Sequence, residues 1–170
     1  MNSSILLRGH MYYHSGTESL SNQQLTTMSN TRQNLLLLVE DEPGNILLIK
    51  RAMSKLKLNI QIQAVEDGEQ AVNYLKKSPL PQLILTDIKM PRMNGIELLA
   101  WIKQQPEFSQ LPVIMFSSSG EIEDIHQATT LGASSYIVRP GSFAELVVAM
   151  QQITSYFNSD STSNHRNYEL

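Results

Sequence analysis

The segment LILTDIKMPRMNG, residues 83–95, decides how this chain folds. It opens with an apolar run, Leu83–Leu85, which stops at Thr86 and Asp87 and is followed by a proline and a glycine. A short apolar run that is bounded in this way is typical of a strand buried on both faces, as in a parallel sheet covered by helices. The segment therefore predicts a buried parallel strand with an acid at its carboxyl end.

On both sides of this segment the chain repeats the pattern of a strand followed by a helix. Four further segments have the composition of strands, and these are Leu35–Val39, Ile60–Ala64, Pro112–Phe116 and Tyr136–Val138. Apolar residues at helical spacing follow every strand, in helices that begin near Pro43, Ala71, Gly95, Ile122 and Ser142. Repeats of about 20 to 25 residues have the length of βα units. We predict an α/β fold with a doubly wound five-stranded parallel sheet of order 2-1-3-4-5 and five helices, the flavodoxin-like arrangement.

Composition limits what the chain can be. Its 170 residues suit one domain with tails, and the net charge of −3 argues against a nucleic-acid binder. The absence of cysteine excludes disulfides and thiol nucleophiles. The longest apolar run, Leu35–Val39, is far shorter than the roughly 20 residues of a membrane span. We therefore expect a cytoplasmic protein with no nucleic-acid or membrane partner.

The two ends of the chain differ from its middle. Ser15–Arg32 and Asn158–Leu170 are rich in Ser, Thr and Asn and show no helical or strand period, so they offer little apolar area to offset the entropy of ordering. We predict flexible tails at 1–33 and 158–170 and a folded domain at 34–157, with Met28 as an alternative start of the protein.

Charged and polar side chains gather where the predicted strands end, namely Glu40, Asp41, Asp87, Ser117 and Arg139. In an open α/β sheet these ends share one edge, and the switch point lies between strands 1 and 3. A single acid after a strand is most often a helix cap, but several acids at one edge repel each other unless a cation lies between them. Carboxylates suit Mg²⁺, and an acidic cluster beside a hydroxyl and a cation is typical of phosphoryl transfer.

Four segments then carry a resemblance to a known family, and these are LLLLVEDEPGN, LILTDIKMPRMNG, PVIMFSSS and GASSYIVRPGS. From Leu35 to Phe157 the chain resembles the receiver domain of a two-component response regulator, with the segments in that family's order and spacing. The D-x-x-M-P-x-M-N-G run is the most specific of them. The resemblance implies a CheY-like regulator that stands alone, of the kind associated with cyanobacterial phytochromes.

The resemblance also implies roles for individual residues. It makes Asp87 the phosphoacceptor, with Asp41 and Asp87 as direct ligands of Mg²⁺ together with the backbone carbonyl of Lys89. Glu40, where the family more often has aspartate, would bind the ion through water. These positions imply magnesium as the cofactor of the reaction.

Three further positions of the family pattern fall on Ser117, Tyr136 and Arg139. Ser117 and Tyr136 would be the switch residues, which change position when the phosphoryl group arrives. Arg139 replaces a nearly universal lysine, and the resemblance predicts a cis peptide bond between Arg139 and Pro140. Guanidinium is planar and bulkier than ammonium. Arg139 can therefore supply the positive charge of the lysine, but its geometry toward the phosphoryl group differs, which affects the efficiency of phosphorylation and its coupling to the switch.

The resemblance implies a sensor histidine kinase, such as a phytochrome, as phosphodonor and a downstream protein as the reader of the signal. Such a protein is not an enzyme beyond accepting and hydrolysing its own aspartyl phosphate. A receiver-shaped interaction module that works without phosphorylation stays open as the alternative, because of Arg139. A flavodoxin is excluded because acids, at Glu40–Glu42, follow the first strand where the flavin phosphate would bind.

The last predicted helix suggests association. Its core-facing stripe on a helical wheel is Phe143, Leu146, Val147, Met150, Ile153 and Phe157. The apolar residues outside that stripe are Ala144, Val148, Ala149 and Tyr156. A helix that is apolar beyond its core stripe indicates a second buried surface, so we predict a homodimer through this helix. Ser142 and Glu145 have the spacing of a capping box at its start.

Overall fold

The structure is a computed structural model that describes residues 34–157, and the tails predicted at 1–33 and 158–170 lie outside the described residues. The strands are β1 Leu35–Val39, β2 Gln61–Val65, β3 Leu83–Thr86, β4 Val113–Ser117 and β5 Ser135–Val138. The helices are α1 Pro43–Lys55, α2 Gly68–Lys77, α3 Gly95–Gln104, α4 Ile122–Thr130 and α5 Phe143–Ile153, and a 3₁₀ turn follows at Thr154–Phe157. No helix between residues 34 and 157 has the length and apolar character that crossing a bilayer requires.

The five strands form one parallel sheet in the order β2-β1-β3-β4-β5. Leu36 of β1 lies opposite Ile62 of β2 on one side and Leu83 of β3 on the other. The register brings the carboxyl ends of β1 and β3 to adjacent positions at one edge. The predicted fold class and strand order are therefore confirmed.

Side chains of the central strands alternate between two cores, one on each face of the sheet. Leu36 and Leu38 pack with residues of α1 and α5, such as Ile49 and Met150. Leu37 and Val39 point to the other face, whose core includes the α2 and α3 residues Ala71, Leu75, Leu98, Leu99 and Ile102. Because both faces of β1 are covered, its sequence is apolar throughout instead of alternating.

Helix α5 differs from its predicted wheel most clearly at Phe143 and Ala149. Phe143, assigned to the core stripe, is 37% exposed, because it is the first helical residue, and the Arg51 guanidinium lies 5.7 Å from its ring centre. Ala149, assigned outside the stripe, is only 6% exposed because α5 packs on α1 as well as on the sheet. The Ser142 hydroxyl accepts the Glu145 N–H, which is one of the two bonds of the predicted capping box.

The prediction of a cis bond between Arg139 and Pro140 is wrong. No cis peptide bond occurs in the part of the chain that the structure describes, so this bond is trans. The trans form is the lower-energy form even before proline, by about 0.5–1 kcal/mol. The Arg139 N–H still continues the sheet pairing by donating to the Ser117 carbonyl at 2.8 Å.

Candidate functional site

Three carboxylates meet at the carboxyl edge of β1 and β3. Backbone pairing continues one residue beyond the strands, because the Asp87 N–H donates to the Val39 carbonyl and the Glu40 N–H to the Val65 carbonyl, both at 3.0 Å. This pairing brings one oxygen each of Glu40, Asp41 and Asp87 within 4.8 Å of one another. Glu40 and Asp87 are buried, whereas Asp41 is exposed. The sheet thus gathers the acids that the sequence placed at this edge.

Glu40 is held by donors on both of its oxygens. Its Oε1 accepts from the Asn45 amide at 3.0 Å and from the Glu42 N–H at 3.2 Å, and its Oε2 accepts from Arg139 Nη2 at 2.5 Å. Burial raises the pKa of Glu40, the Asn45 and Arg139 contacts lower it in part, and the charge of Asp87 raises it further. Sequence reasoning missed Asn45, whose place in the first turn of α1 was the available signal.

Asp87 has one occupied oxygen and one that is open to the cluster. Its Oδ1 accepts the Ile88 N–H at 2.6 Å, and its Oδ2 lies 3.4 Å from Arg139 Nη2. Its carbonyl accepts the Thr86 hydroxyl at 2.9 Å, and a Cβ at Gly95 would overlap that same carbonyl. The backbone of Asp87 is therefore closely packed at the start of α3.

Arg139 enters the cluster from the end of β5 and lies between two acids. Besides Glu40 and Asp87, its Nη2 lies 3.4 Å from the Phe116 carbonyl, and its guanidinium carbon lies 5.5 Å from the centre of the Phe116 ring. Among residues 34–157 the buried Nε has no hydrogen-bond partner. Nothing in the sequence pointed to Phe116 as a contact of this side chain.

A chain of hydrogen bonds runs from Ser117 across the loop between β4 and α4. The buried Ser117 hydroxyl accepts the Ser119 N–H at 3.3 Å, and the Ser119 hydroxyl donates to Asp124 at 2.6 Å. The Tyr136 hydroxyl donates to the Ser119 carbonyl at 2.8 Å, so both predicted switch residues contact the same loop. Burial and the nearby charge of Asp124 raise the pKa of Tyr136. Asp124 was missed because its only sequence signal, an acid in a first helical turn, is common.

The loop between β3 and α3, which contains Lys89, is joined to the start of α2. The Lys89 side chain is exposed, and Arg92 has a left-handed backbone with φ of 63°. The Arg92 guanidinium pairs with buried Asp67, whose side chain also accepts the Gln70 N–H and caps α2. The Gly68 N–H donates to the Met93 carbonyl at 3.0 Å. Sequence reasoning missed this junction, although Asp67 before Gly68 is a helix-start signal.

The donor set of the cluster fits a hard divalent cation. Carboxylate oxygens are the ligands that Mg²⁺ prefers, and Mg²⁺ binds through one or two carboxylates while it keeps several waters. Asp41 and Asp87 offer carboxylates near each other, and the exposure of Asp41 leaves one side open to solvent. The cluster is the place where such an ion would be held.

Comparison with known proteins gives a consistent result. The family model for the response regulator receiver domain matches residues 36–151. The probable methanogenesis regulatory protein FilR2 of Methanothrix harundinacea is 30% identical over 128 residues, which are 72% of this chain and 83% of that protein.

Two solved structures are similar in fold and in sequence. The phosphorylated cyanobacterial phytochrome response regulator RcpA has a TM-score of 0.70 at 29% identity, covering 76% of this chain and 97% of that one. The Mn²⁺-bound form of response regulator Rcp1, a protein of Synechocystis sp., has a TM-score of 0.69 at 27% identity, covering 78% and 99%. These proteins have the sheet and helices described above.

Proposed function

Because this chain belongs to the response regulator receiver family, we propose that Asp87 accepts a phosphoryl group from the phosphohistidine of a sensor histidine kinase. The reaction depends on magnesium and takes place in the cytoplasm, and a downstream protein reads its result. The observation that carries the proposal is the convergence of Glu40, Asp41 and Asp87 at one sheet edge, with Arg139 among them.

The contacts of Asp87 define its part in the chemistry. Its Oδ1 is occupied by the Ile88 N–H, so Oδ2 attacks the phosphorus. The new O–P bond forms as the P–N bond of the phosphohistidine breaks, and the imidazole leaves with the electron pair. Asp41, Asp87 and the backbone carbonyl of Lys89 would hold a magnesium ion, with Glu40 acting through water, and the ion would neutralise charge on the phosphoryl oxygens.

The loop between β4 and α4 would report the reaction. Ser117 lies at the end of β4 with its hydroxyl in a weak bond to the Ser119 N–H. We propose that this hydroxyl turns to a phosphoryl oxygen and that Tyr136 follows inward. The bonds of Ser119 to Tyr136 and Asp124 support the proposal, since one loop joins both switch residues to α4.

A phytochrome is our proposal for the kinase. The support is similarity, because RcpA is described as a phytochrome response regulator and the chain is 29% identical to it over most of the RcpA length. The alternative, an interaction module that works without phosphorylation, is favoured by one contact: Arg139 already neutralises Glu40 at 2.5 Å.

One experiment distinguishes the phosphorylated regulator from the interaction module that works without phosphorylation. The protein is incubated with a small-molecule phosphodonor and magnesium, and its intact mass is measured for the wild type, Asp87→Asn and Asp67→Asn. We expect one added phosphoryl group in the wild type and in Asp67→Asn, which changes a buried carboxylate outside the cluster. Asp87→Asn should gain none. A wild type that gains no mass, or an Asp87→Asn variant that does, contradicts the proposal.

We also propose a homodimer through α5. Val148 is 55% exposed and Ala144 is exposed, which supports an apolar outer surface on one flank of the helix. The other flank contributes less than the wheel predicts, because Ala149 is buried and Tyr156 is half-buried. Val148→Glu should weaken the dimer and leave the fold intact. Sedimentation at tens of micromolar tests this, and a wild-type monomer in both phosphorylation states refutes it.

A further inference from the structure

The acidic cluster already has a cation of its own, the guanidinium of Arg139. Its Nη2 atom lies 2.5 Å from Glu40 Oε2 and 3.4 Å from Asp87 Oδ2. With the Asn45 and Glu42 donors on Oε1, every oxygen of Glu40 has a partner within the protein. Glu40 is 1% exposed, so its charge is balanced by these donors and receives little help from water.

Contacts around Arg139 keep its guanidinium in this position. Its guanidinium carbon lies 5.5 Å from the centre of the Phe116 ring, and Nη2 also reaches the Phe116 carbonyl at 3.4 Å. A planar guanidinium can contact a carboxylate and lie over an aromatic ring at the same time, whereas an ammonium group on a flexible stem does not do so in the same way. The guanidinium is therefore held in place as well as charged.

A divalent cation in the cluster would meet this guanidinium at the same carboxylates. Two cations that share Glu40 and Asp87 repel each other, and the Arg139–Glu40 hydrogen bond has to weaken before Glu40 can face a metal-bound water. We propose that Arg139 is an internal counterion that competes with the divalent cation for Glu40 and thereby sets the metal affinity of this protein. This inference rests on the proposed function, because it takes the cluster to be a magnesium site.

The test is a calorimetric titration with Mn²⁺ and with Mg²⁺, which reads metal affinity without any phosphoryl transfer. Arg139→Met removes the competing group, and Arg139→Lys keeps its charge while removing the planar guanidinium. We expect both variants to bind metal about tenfold more tightly than the wild type, a factor that corresponds to about 1.4 kcal/mol. Arg92→Met is the matched control, because Arg92 also pairs with a buried acid but lies outside the cluster. Its metal affinity should equal that of the wild type.

A double-mutant cycle separates competition from simple charge repulsion. If Arg139 acts by holding Glu40, the gain from Arg139→Met should largely disappear in the Glu40→Gln background. If Arg139 acts only as a nearby positive charge, the same gain should persist there, and the inference is overturned. Melting curves without metal confirm that each variant is folded.

Two further outcomes distinguish a failure of this inference from a failure of the proposed function. Unchanged affinity in both Arg139 variants, with the wild type binding metal and gaining mass on Asp87, overturns the inference and leaves the proposed function standing. A chain in which no variant binds metal and the wild type gains no mass overturns both.

Discussion

Two buried carboxylates in this molecule are each paired with an arginine, yet they behave in opposite ways. Asp67 follows β2 and is 0% exposed, and Glu40 follows β1 and is 1% exposed. Burial raises the pKa of Asp67 to begin with, but the Gln70 N–H and the Arg92 guanidinium outweigh it, so the net pKa is lowered. For Glu40 burial also comes first, and the donors around it do not outweigh burial and the charge of Asp87, so its pKa is raised.

The difference teaches that an acid–arginine pair is structural or functional according to its other neighbours. Asp67 caps α2, where backbone N–H groups and the helix dipole favour its charge. Glu40 lies beside two further carboxylates that share its edge of the sheet. The first arrangement stabilises the fold and the second stores repulsion that a cation relieves.

The largest expected effect is a loss of magnesium binding that occurs when an acid of the cluster is replaced but not when Asp67, the cap of α2, is replaced. Asp41→Ala should reduce magnesium affinity, and with it phosphoryl transfer, by about a hundredfold or more, since loss of an outer-shell partner alone costs 10- to 100-fold. Without metal the variant should melt at or above the wild-type temperature, because one repelling charge is gone. Melting curves with and without magnesium measure both effects. The proposed difference between the two acids would be contradicted if magnesium raised the melting temperature of Asp41→Ala as much as that of the wild type, or if it did not raise that of Asp67→Asn.

The next effect concerns stability in the absence of metal. Asp67→Ala should lower the free energy of unfolding by about 1–2 kcal/mol, because it removes a helix N-cap. Glu40→Gln should lower the free energy of unfolding by less than about 1 kcal/mol. The amide oxygen of the glutamine can still accept from Asn45, and Arg139 retains Asp87 as an acidic partner. Urea unfolding of both variants measures the difference. Equal losses would mean that Glu40 is as structural as Asp67.

The smallest effect is in the pH dependence of stability. Asp67 has a lowered pKa in the fold. Its contribution to the free energy of unfolding is therefore present above pH 3.8, the ordinary pKa of aspartate, and is lost as the pH falls below that value. Glu40 has a raised pKa, so the folded protein holds the Glu40 proton more tightly than the unfolded chain does. The stability that this proton contributes is lost as the pH rises above 4.5, the ordinary pKa of glutamate. Stability differences between the wild type and Asp67→Asn or Glu40→Gln should therefore have opposite slopes with pH. Unfolding at several pH values between 3 and 7 checks the signs, and parallel slopes would contradict them.

The sequence predicts the sheet well because hydrophobic periodicity is a local signal. Strand order follows from buried runs and right-handed crossovers, and strand ends place Glu40, Asp41 and Asp87 at one edge. What it does not predict depends on contacts between distant segments. The Arg92–Asp67 pair and the packing of Arg139 on Phe116 join residues that no spacing rule connects. The exposed Phe143 shows the same limit, since a wheel does not say where a helix leaves its sheet.

The close packing of Gly95 on the Asp87 carbonyl gives the site two walls of unequal stiffness. On one side the loop after β3 is held by this contact and by the junction of Gly68 with Met93. On the other side the loop after β4 is fastened mainly through hydroxyl groups, such as that of Ser119, which rotate at little cost. We expect a new charge at Asp87 to displace the loop after β4 more readily than the loop after β3. The contacts of the two loops would then set the direction of this movement before any partner is present.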